Sequence, residues 1–309
     1  MVGNILDHQQ IRRVAVLTNP AAGRGIAAER AVEARREFFR RGIDVVALAG
    51  ASAEASRELA RHALDDDLLD ALVVCGGDGL IHLALQEQAG SKKPLGIIPA
   101  GTGNDHAREY RIPLDVRGAV DAIVGGYSTH TDLGVIRHGD EERYFGTIAM
   151  AGFDSQVTER ANTIKWPRGK LRYLLASGIE FPSFRARPAR LETPDGEELF
   201  NGQAILCVVG NTKSYGGGMT VVPDADHHDG LFDITVLEEV PRRTFLLQAR
   251  QFMAGDFSGL GGAIKRFRVP EVTLHMPGVN TYVDGDRSFP TPVSLRIAPG
   301  AGHYLVPKP

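Results

Sequence analysis

Cysteine and long apolar runs are scarce in this sequence of 309 residues. Its two cysteines, Cys75 and Cys207, both lie in apolar, strand-like stretches. We therefore interpret them as small buried hydrophobic residues and not as a disulfide framework. No apolar run approaches the ~20 residues needed to cross a bilayer, and the N-terminal segment lacks the pattern of a secretion signal. A cytoplasmic protein is expected, with any membrane contact peripheral.

A charge excess and the common nucleotide signatures are also lacking. The formal net charge is -3, which gives no general attraction to nucleic acid, so no nucleic-acid partner is expected. There is no GxxxxGK[ST], no GxGxxG after a predicted strand, and no protein-kinase HRD or DFG set. Any nucleotide phosphates must therefore be held by another arrangement.

Glycine, in contrast, is abundant, with 36 residues. Hydrophobic residues make up 43% and charged residues 24% of the chain, as in ordinary globular proteins. The length is sufficient for two domains, each with its own core.

The first part of the chain, to about residue 127, alternates short apolar runs with helical stretches. This pattern predicts an α/β domain, an open Rossmann-like parallel sheet with flanking helices. Ser52 and Asp115 are predicted helix caps. The predicted strands are 14–18, 44–49, 71–75 and 94–99, and the predicted helices are about 26–41, 53–65 and 80–89.

The second part consists mostly of strand-like segments separated by Gly, Pro and Asp turns. Helical insertions are predicted near 156–180 and 241–254. The pattern predicts a mainly β, sandwich-like domain. We expect the α/β domain at 1–128, rejoined by about 295–309, and the β domain at 129–294.

Three glycine-rich loops follow predicted strands of the first domain, at Asn19–Gly25, Gly76–Leu80 and Pro99–Asp105. In open α/β sheets, ligands bind at the carboxyl ends of the strands. Backbone N–H groups in such loops can hold phosphate oxygens, and Asp78 can hold a magnesium ion that bridges them. A single loop of this kind is well explained as a plain turn. Three loops on one edge of a sheet favour a phosphate site.

The ordered motifs resemble the diacylglycerol kinase catalytic-domain family, which includes sphingosine, ceramide and bacterial lipid kinases. The match runs nearly end to end and is closest to the actinobacterial diacylglycerol kinases. The motifs are NPAAG (19–23), CGGDGLIH (75–82), PLGIIPAGTGNDHAR (94–108), TDLG (131–134), NTKSYGGGM (211–219), PDADHHDGLFD (223–233) and VDGD (283–286).

The resemblance implies an ATP- and Mg²⁺-dependent lipid kinase, with diacylglycerol the expected substrate. ATP would lie in a cleft between the domains. A magnesium network is implied on Asp78, Asp105 and Asp132, with Asp132 beginning the second domain. The nucleotide-binding residues implied are Asn19, Pro20, Ala21, Ala22, Gly23, Gly76, Gly77, Asp78, Gly79, Thr102, Asn104 and Asp105.

A second, structural ion is implied at Asp229, with Asp226 and Leu231 nearby. The alternative for Asp229 is an ordinary turn aspartate. Zinc binding by His227 and His228 is not favoured, because they lack a helical pair spacing and a nearby cysteine.

The family's general base belongs to a DGE motif, where this chain has Asp284, Gly285 and Asp286. Asp286 matches the glutamate, and Asp284 would support the site. If the segment is extended, the two carboxylates project from one face of a strand. Two other departures are Leu80, where a threonine is usual, and Ala22, where a serine is common. Backbone N–H groups can still cradle the phosphates.

A basic segment at 160–172, which contains Trp166, suits either an anionic membrane surface or a solvated helix face. A lipid substrate at a membrane surface is the expected partner, and relatives suggest a homodimer. The alternatives in function are a sphingosine- or ceramide-like kinase, an NAD kinase-like enzyme, and a non-catalytic nucleotide-binding regulator.

Overall fold

The computed structural model describes residues 6–19, 26–164, 166, 175–176, 178–181 and 185–308. The chain divides into two compact units, Met1–Asp132 with Pro299–Pro309, and Leu133–Ala298. The predicted α/β and mainly β classes are both confirmed. Among the described residues, no helix has the length and hydropathy needed to span a membrane.

Among the described residues, five strands and five helices precede the strand that leads from the first unit into the second. The strands are β1 (Asp7–His8), β2 (Arg13–Thr18), β3 (Asp44–Ala49), β4 (Ala71–Gly76) and β5 (Leu95–Pro99). The helices are α1 (Ile26–Arg40), α2 (Ala53–Asp65), α3 (Asp78–Gln88), α4 (Asp105–Glu109) and α5 (Val116–Val124).

The remaining elements are mainly strands. They are β6 (Tyr127–His138), β7 (Glu141–Phe145), β8 (Ile148–Gly152), β9 (Arg187–Glu192), β10 (Glu198–Gly210), β11 (Ser214–Tyr215), β12 (Met219–Thr220), β13 (Phe232–Glu238), β14 (Ile264–Val269), β15 (Glu271–His275), β16 (Asn280–Val283), β17 (Asp286–Pro290) and β18 (Val293–Leu305). The helices are α6 (Phe153–Thr163), α7 (Arg242–Phe252) and a 3₁₀ segment (Ser258–Ala263). Strands β6 and β18 both run through the division between the units.

The sheet of the first unit is parallel, with the order β3–β2–β4–β5, and the end of β18 adds a further parallel strand through Tyr304 and Leu95. Every residue of β4 and β5 is buried, as expected for parallel strands covered on both faces. The two predicted helix caps are confirmed, since Ser52 accepts a hydrogen bond from Ala55 N and Asp115 accepts one from Gly118 N.

The second unit has two hydrophobic clusters whose members alternate along the antiparallel strands. On β8, Ala149 and Ala151 belong to one cluster, and Ile148 and Met150 belong to the other. Most members of the first cluster are strand residues, whereas α6 and α7 pack on the second cluster. A period of two with both faces buried explains why these strands read as nearly continuous apolar runs.

Candidate active site

Two of the three glycine-rich loops touch each other through their backbones. Gly76 ends β4, Gly77 caps α3, and Asp78 is the first residue of that helix. A Cβ placed on Gly101 would lie 2.5 Å from Gly77 Cα, and Ala100 N donates a hydrogen bond to Gly76 O at 2.7 Å. Only glycine permits this approach. The loops after β4 and β5 therefore lie side by side, in direct backbone contact.

Asn104 holds the second loop in shape. Its Oδ1 accepts a hydrogen bond from Gly101 N at 2.9 Å, and its Nδ2 donates to Gly101 O at 3.1 Å. Its φ of 52° is left-handed, which asparagine tolerates better than most residues. Thr102 lies exposed within this clamped loop, so its hydroxyl is available to a ligand.

Asp78 lies against a buried histidine that sequence reasoning did not single out. Asp78 Oδ1 accepts a hydrogen bond from His106 N at 3.3 Å and lies 3.5 Å from His106 Nδ1. The His106 side chain is completely buried, and its ring lies 6.5 Å from the Tyr304 ring. The sequence feature that could have indicated His106 is its position one residue after Asp105, in a motif that follows the GGDG loop. We regard His106 as a residue that positions Asp78.

Asp132 is 5% exposed and lies in the first unit, whereas the sequence placed it at the beginning of the second. Its Oδ1 accepts a hydrogen bond from Gly300 N at 2.9 Å. Asp132 lies in the first unit because the C-terminal strand β18 returns and brings Gly300 next to β6. The adjacent Thr131 hydroxyl lies 3.2 Å from the Tyr110 hydroxyl, and Tyr110 stacks on Tyr304.

The three aspartates Asp78, Asp105 and Asp132 all belong to the first unit but do not form a tight cluster. Among the described residues, three ligand atoms come within 4.8 Å of one another only at Asp7–His130–His303 and Asp226–His227–His228. Magnesium usually keeps several waters and takes one or two carboxylates together with substrate phosphates. The oxygen-only chemistry of these aspartates therefore fits a magnesium ion held with a nucleotide better than a protein-only cage.

The other residues predicted at the nucleotide site are placed only in part. Asn19 is half-buried directly after β2, and Gly79 lies in the first turn of α3. Pro20, Ala21, Ala22 and Gly23 lie outside the described residues. Leu80 is 8% exposed, and a Cβ on Gly76 would meet its Cδ2 at 2.8 Å. The leucine thus packs on the loop in place of offering a hydroxyl to it.

Asp284 and Asp286 do not share one face of an extended strand. Asp284 and Gly285 have φ values of 50° and 85° and form a two-residue turn between β16 and β17, in which Val283 pairs with Asp286. The extended arrangement was therefore the wrong expectation. The reason is local, because an Asp-Gly pair favours tight hairpin turns that require φ above zero at both positions.

The Asp284 carboxylate binds a neighbouring loop of the second unit. Its Oδ1 accepts from Thr147 N at 2.8 Å and from Thr147 Oγ1 at 2.6 Å, and its Oδ2 accepts from Gly146 N at 3.0 Å. Asn211 Nδ2 donates to Gly146 O at 2.9 Å. Asp284 is 8% exposed, whereas Asp286 is exposed at the start of β17. Of the two carboxylates, Asp286 is the one presented to solvent.

Asp229 has the contacts of a turn aspartate. Its Oδ1 accepts from Leu231 N at 3.0 Å, and its Oδ2 forms an ion pair with Arg268. Arg268 Nε also donates to buried Asp233 at 3.2 Å. Burial raises the pKa of Asp233, and the Arg268 charge opposes that rise. These are the contacts of a turn aspartate paired with a guanidinium, and the structural ion implied at Asp229 stays a prediction. The Asp226 carboxylate instead lies near His227 and His228.

The basic segment at 160–172 is described only at its beginning and at Trp166. The side chain of Trp166 is 82% exposed, and Arg160 is ion-paired with Glu180. Residues 165 and 167–172 lie outside the described part of the chain, so the choice between a membrane contact and a solvated face stays open there.

An α/β unit with glycine-rich loops beside Asp78, followed by a mainly β unit, fits an enzyme that binds a nucleotide and transfers a phosphoryl group. Residues 13–136 match the diacylglycerol kinase catalytic domain, and residues 147–306 match the YegS C-terminal NAD kinase beta sandwich-like domain. The chain belongs to the diacylglycerol kinase catalytic-domain family, whose activity requires ATP.

Relatives extend over most or all of the chain. It is 41% identical over 305 residues to the diacylglycerol kinase of Mycobacterium tuberculosis, covering 98% of each sequence. It is 31% identical over 232 residues to the diacylglycerol kinase of Staphylococcus epidermidis, covering 74% of this chain and 71% of the relative. The crystal structure of a diacylglycerol kinase from Bacillus anthracis has the same fold, with a TM-score of 0.71, 18% identity, and coverage of 96% of this chain and 98% of that one.

Proposed function

We propose that this protein transfers the γ-phosphoryl group of ATP to the free hydroxyl of diacylglycerol, producing phosphatidic acid and ADP. The observation that carries the proposal is the 41% identity to a diacylglycerol kinase over 98% of both chains. Because that substrate is confined to membranes, the enzyme would act at a membrane surface.

For the nucleotide, we assign the phosphate cradle to the two touching loops, with Gly77 and Gly101 at their contact. Backbone N–H groups and the N-terminal end of α3 would face the phosphate oxygens. Asp78, held by His106, would bind the magnesium ion that accompanies ATP. Bound there, the ion would neutralise charge on the phosphates.

For the lipid hydroxyl, we assign the general base to Asp286. The lipid oxygen would form a bond to the γ-phosphorus while the bond from that phosphorus to the ADP oxygen breaks, and the hydroxyl proton would pass to the Asp286 carboxylate. Exposure of Asp286 supports this role. Asp284 already accepts three hydrogen bonds, so we assign it to holding the hairpin and the Gly146–Thr147 loop.

The test is a lipid screen with purified protein, γ-labelled ATP and magnesium. Diacylglycerol, ceramide, sphingosine and monoacylglycerol are presented separately in the same mixed micelles. NAD is included as a soluble acceptor, because the second unit matches an NAD kinase-like sandwich.

We expect labelled phosphatidic acid at a rate well above that of any other product, and no product without magnesium. Preferential labelling of ceramide, sphingosine or NAD would replace the proposed substrate. ATP binding without labelling of any acceptor would instead indicate a nucleotide-binding regulator.

A further inference from the structure

Helix α7 of the second unit carries two leucines that face away from the protein. Leu246 is 59% exposed and Leu247 is 78% exposed. Neighbours at spacings of three and four residues lie on one face of a helix. Arg243 and Arg250 therefore share the face of the leucines. We call these four residues the arginine–leucine face.

The opposite side of α7 fixes this orientation. Phe252 is 4% exposed, and Phe245 packs partly buried against the same hydrophobic cluster. The Phe245 ring makes an edge contact with Phe153, with centroids 6.4 Å apart. Because the aromatic side chains already pack against the core, turning the helix to bury the leucines would expose them. The outward leucines are thus a property of the packed helix.

The charged side chains of helix α7 all have one sign. Between Arg242 and Phe252 the sequence contains three arginines and no aspartate or glutamate. Arg242 lies over the Phe181 ring, 6.0 Å from its centroid, and Ile179 in the same segment is 47% exposed. Apolar exposure therefore continues beside α7.

We propose that the arginine–leucine face is a docking surface for an anionic lipid bilayer, with α7 lying in the plane of the membrane surface. A helix with leucines on one face and arginines beside them inserts its apolar side chains at the level of the headgroups, where the guanidinium groups meet lipid phosphates. This inference rests on the proposed function, because a kinase whose acceptor is confined to a bilayer must reach that bilayer.

Charge favours a bilayer over a second copy of the chain as the occupant. In a two-fold symmetric pair the same patch faces itself. Two copies of α7 would then bring the arginines of one copy near the arginines of the other, whereas an anionic bilayer offers the opposite charge to every arginine. Dimer formation through this face is an outcome that the experiment detects.

The experiment compares the whole protein with variants at matched exposed positions. The test variants are Leu246→Gln with Leu247→Gln, and Arg243→Gln with Arg250→Gln. The controls are Leu68→Gln and Arg36→Gln in the first unit, where Leu68 is 69% exposed and Arg36 is also exposed. Binding is measured by sedimentation with vesicles of phosphatidylcholine alone and of equimolar phosphatidylcholine and phosphatidylglycerol. Kinase activity is measured on the same vesicles with diacylglycerol added and on short-chain dioctanoylglycerol, and oligomeric state is measured by sedimentation velocity.

We expect the protein to bind the anionic vesicles more tightly than the zwitterionic ones. The double leucine variant should lose about 100-fold in vesicle partitioning. The double arginine variant should lose about 25-fold on the anionic vesicles alone, at roughly fivefold per arginine. Both controls should bind as the unmodified protein does, and activity on dioctanoylglycerol should be unchanged in all four variants.

Vesicle binding that is equal in test and control variants would overturn the docking surface. A dimer that the test variants convert to monomer, with vesicle binding unchanged, would overturn it in favour of an interface between copies. If the unmodified protein does not phosphorylate dioctanoylglycerol, the proposed function is refuted instead. Direct vesicle binding is read without catalysis, so the two failures are distinguishable.

Discussion

Replacement of Asp284 by asparagine should lower the free energy of unfolding through the hairpin between β16 and β17. The substitution keeps the shape of the side chain, and asparagine tolerates the φ of 50° at this position. Backbone strain is therefore not added. What changes is hydrogen bonding, because an amide NH₂ replaces one of the two acceptor oxygens.

The magnitude follows from three contacts. The carboxylate accepts from Gly146 N, Thr147 N and Thr147 Oγ1 at 3.0, 2.8 and 2.6 Å. Hydrogen bonds to charged groups contribute roughly 1.5–3 kcal/mol each, and a buried donor left without an acceptor costs about 1–3 kcal/mol. Asparagine can retain the two bonds to Thr147 in weaker, neutral form while its NH₂ opposes Gly146 N–H. We expect a loss of about 2–4 kcal/mol in the free energy of unfolding.

The assay is thermal and urea unfolding, with Asp286→Asn as the matched control on the exposed side of the same turn. The loss corresponds to a fall in Tm of roughly 4–12 °C for Asp284→Asn, with less than about 1 °C for the control. Thr147→Val removes one donor, so its effect should not add to that of Asp284→Asn. Equal melting of the two aspartate variants, or full additivity with Thr147→Val, would refute the assignment of Asp284 to a structural role.

Three further outcomes are expected. Gly101→Ala places a Cβ against the backbone of the facing loop and should lower the free energy of unfolding by about 1–3 kcal/mol. The control Gly262→Ala, whose Cβ would meet nothing within 4 Å, should melt as the unmodified protein does. Equal melting temperatures of the two variants would refute the contact between the loops. Asp78→Asn should lower kcat/KM for magnesium-ATP by about 10²-fold or more and raise the magnesium concentration for half-maximal rate, and an unchanged magnesium requirement would contradict its assignment. Burial, and then the charge of His130, lowers the pKa of His303 to about 4 from 6.5, so the stability that this neutral imidazole provides above pH 6.5 should be lost progressively as the pH falls toward 4. Melting curves of His303→Gln should show a shallower acid decline, and an identical decline would reject this cause.

The local sequence pattern was sufficient to predict the helices and strands of the first unit and the glycine-rich loops between them. The predicted strand at 44–49 and helix at 53–65 coincide with β3 and α2. The ends of such elements are set by short-range interactions, such as the hydrogen bond from Ala55 N to the Ser52 hydroxyl. These interactions can be predicted from residues that are close together in the sequence. Helix α3 begins at Asp78, two residues before its predicted start. Gly79 has a low helix propensity, so its position in the first turn was not expected from the sequence.

Long-range contacts account for what the sequence did not predict. Asp132 joins the first unit through Gly300, a partner 168 positions away. Asp284 accepts a hydrogen bond from Thr147, 137 positions away. A carboxylate that the sequence assigned to the catalytic site therefore holds a turn and a loop together. The positioning role of His106 becomes visible only in its contact with Asp78, which is 28 positions away in the sequence. Periodicity and motif spacing contain no information on such pairings.

The most direct test of the account is single-turnover transfer from γ-labelled ATP to diacylglycerol, measured for the unmodified protein and for Asp286→Asn. The unmodified protein should form labelled phosphatidic acid. The variant should do so about 10²–10⁴ times more slowly, with ATP affinity little changed, and Asp286→Glu should retain measurable activity. Absence of labelled lipid from the unmodified protein, or transfer by Asp286→Asn at the unmodified rate, would contradict the proposed mechanism.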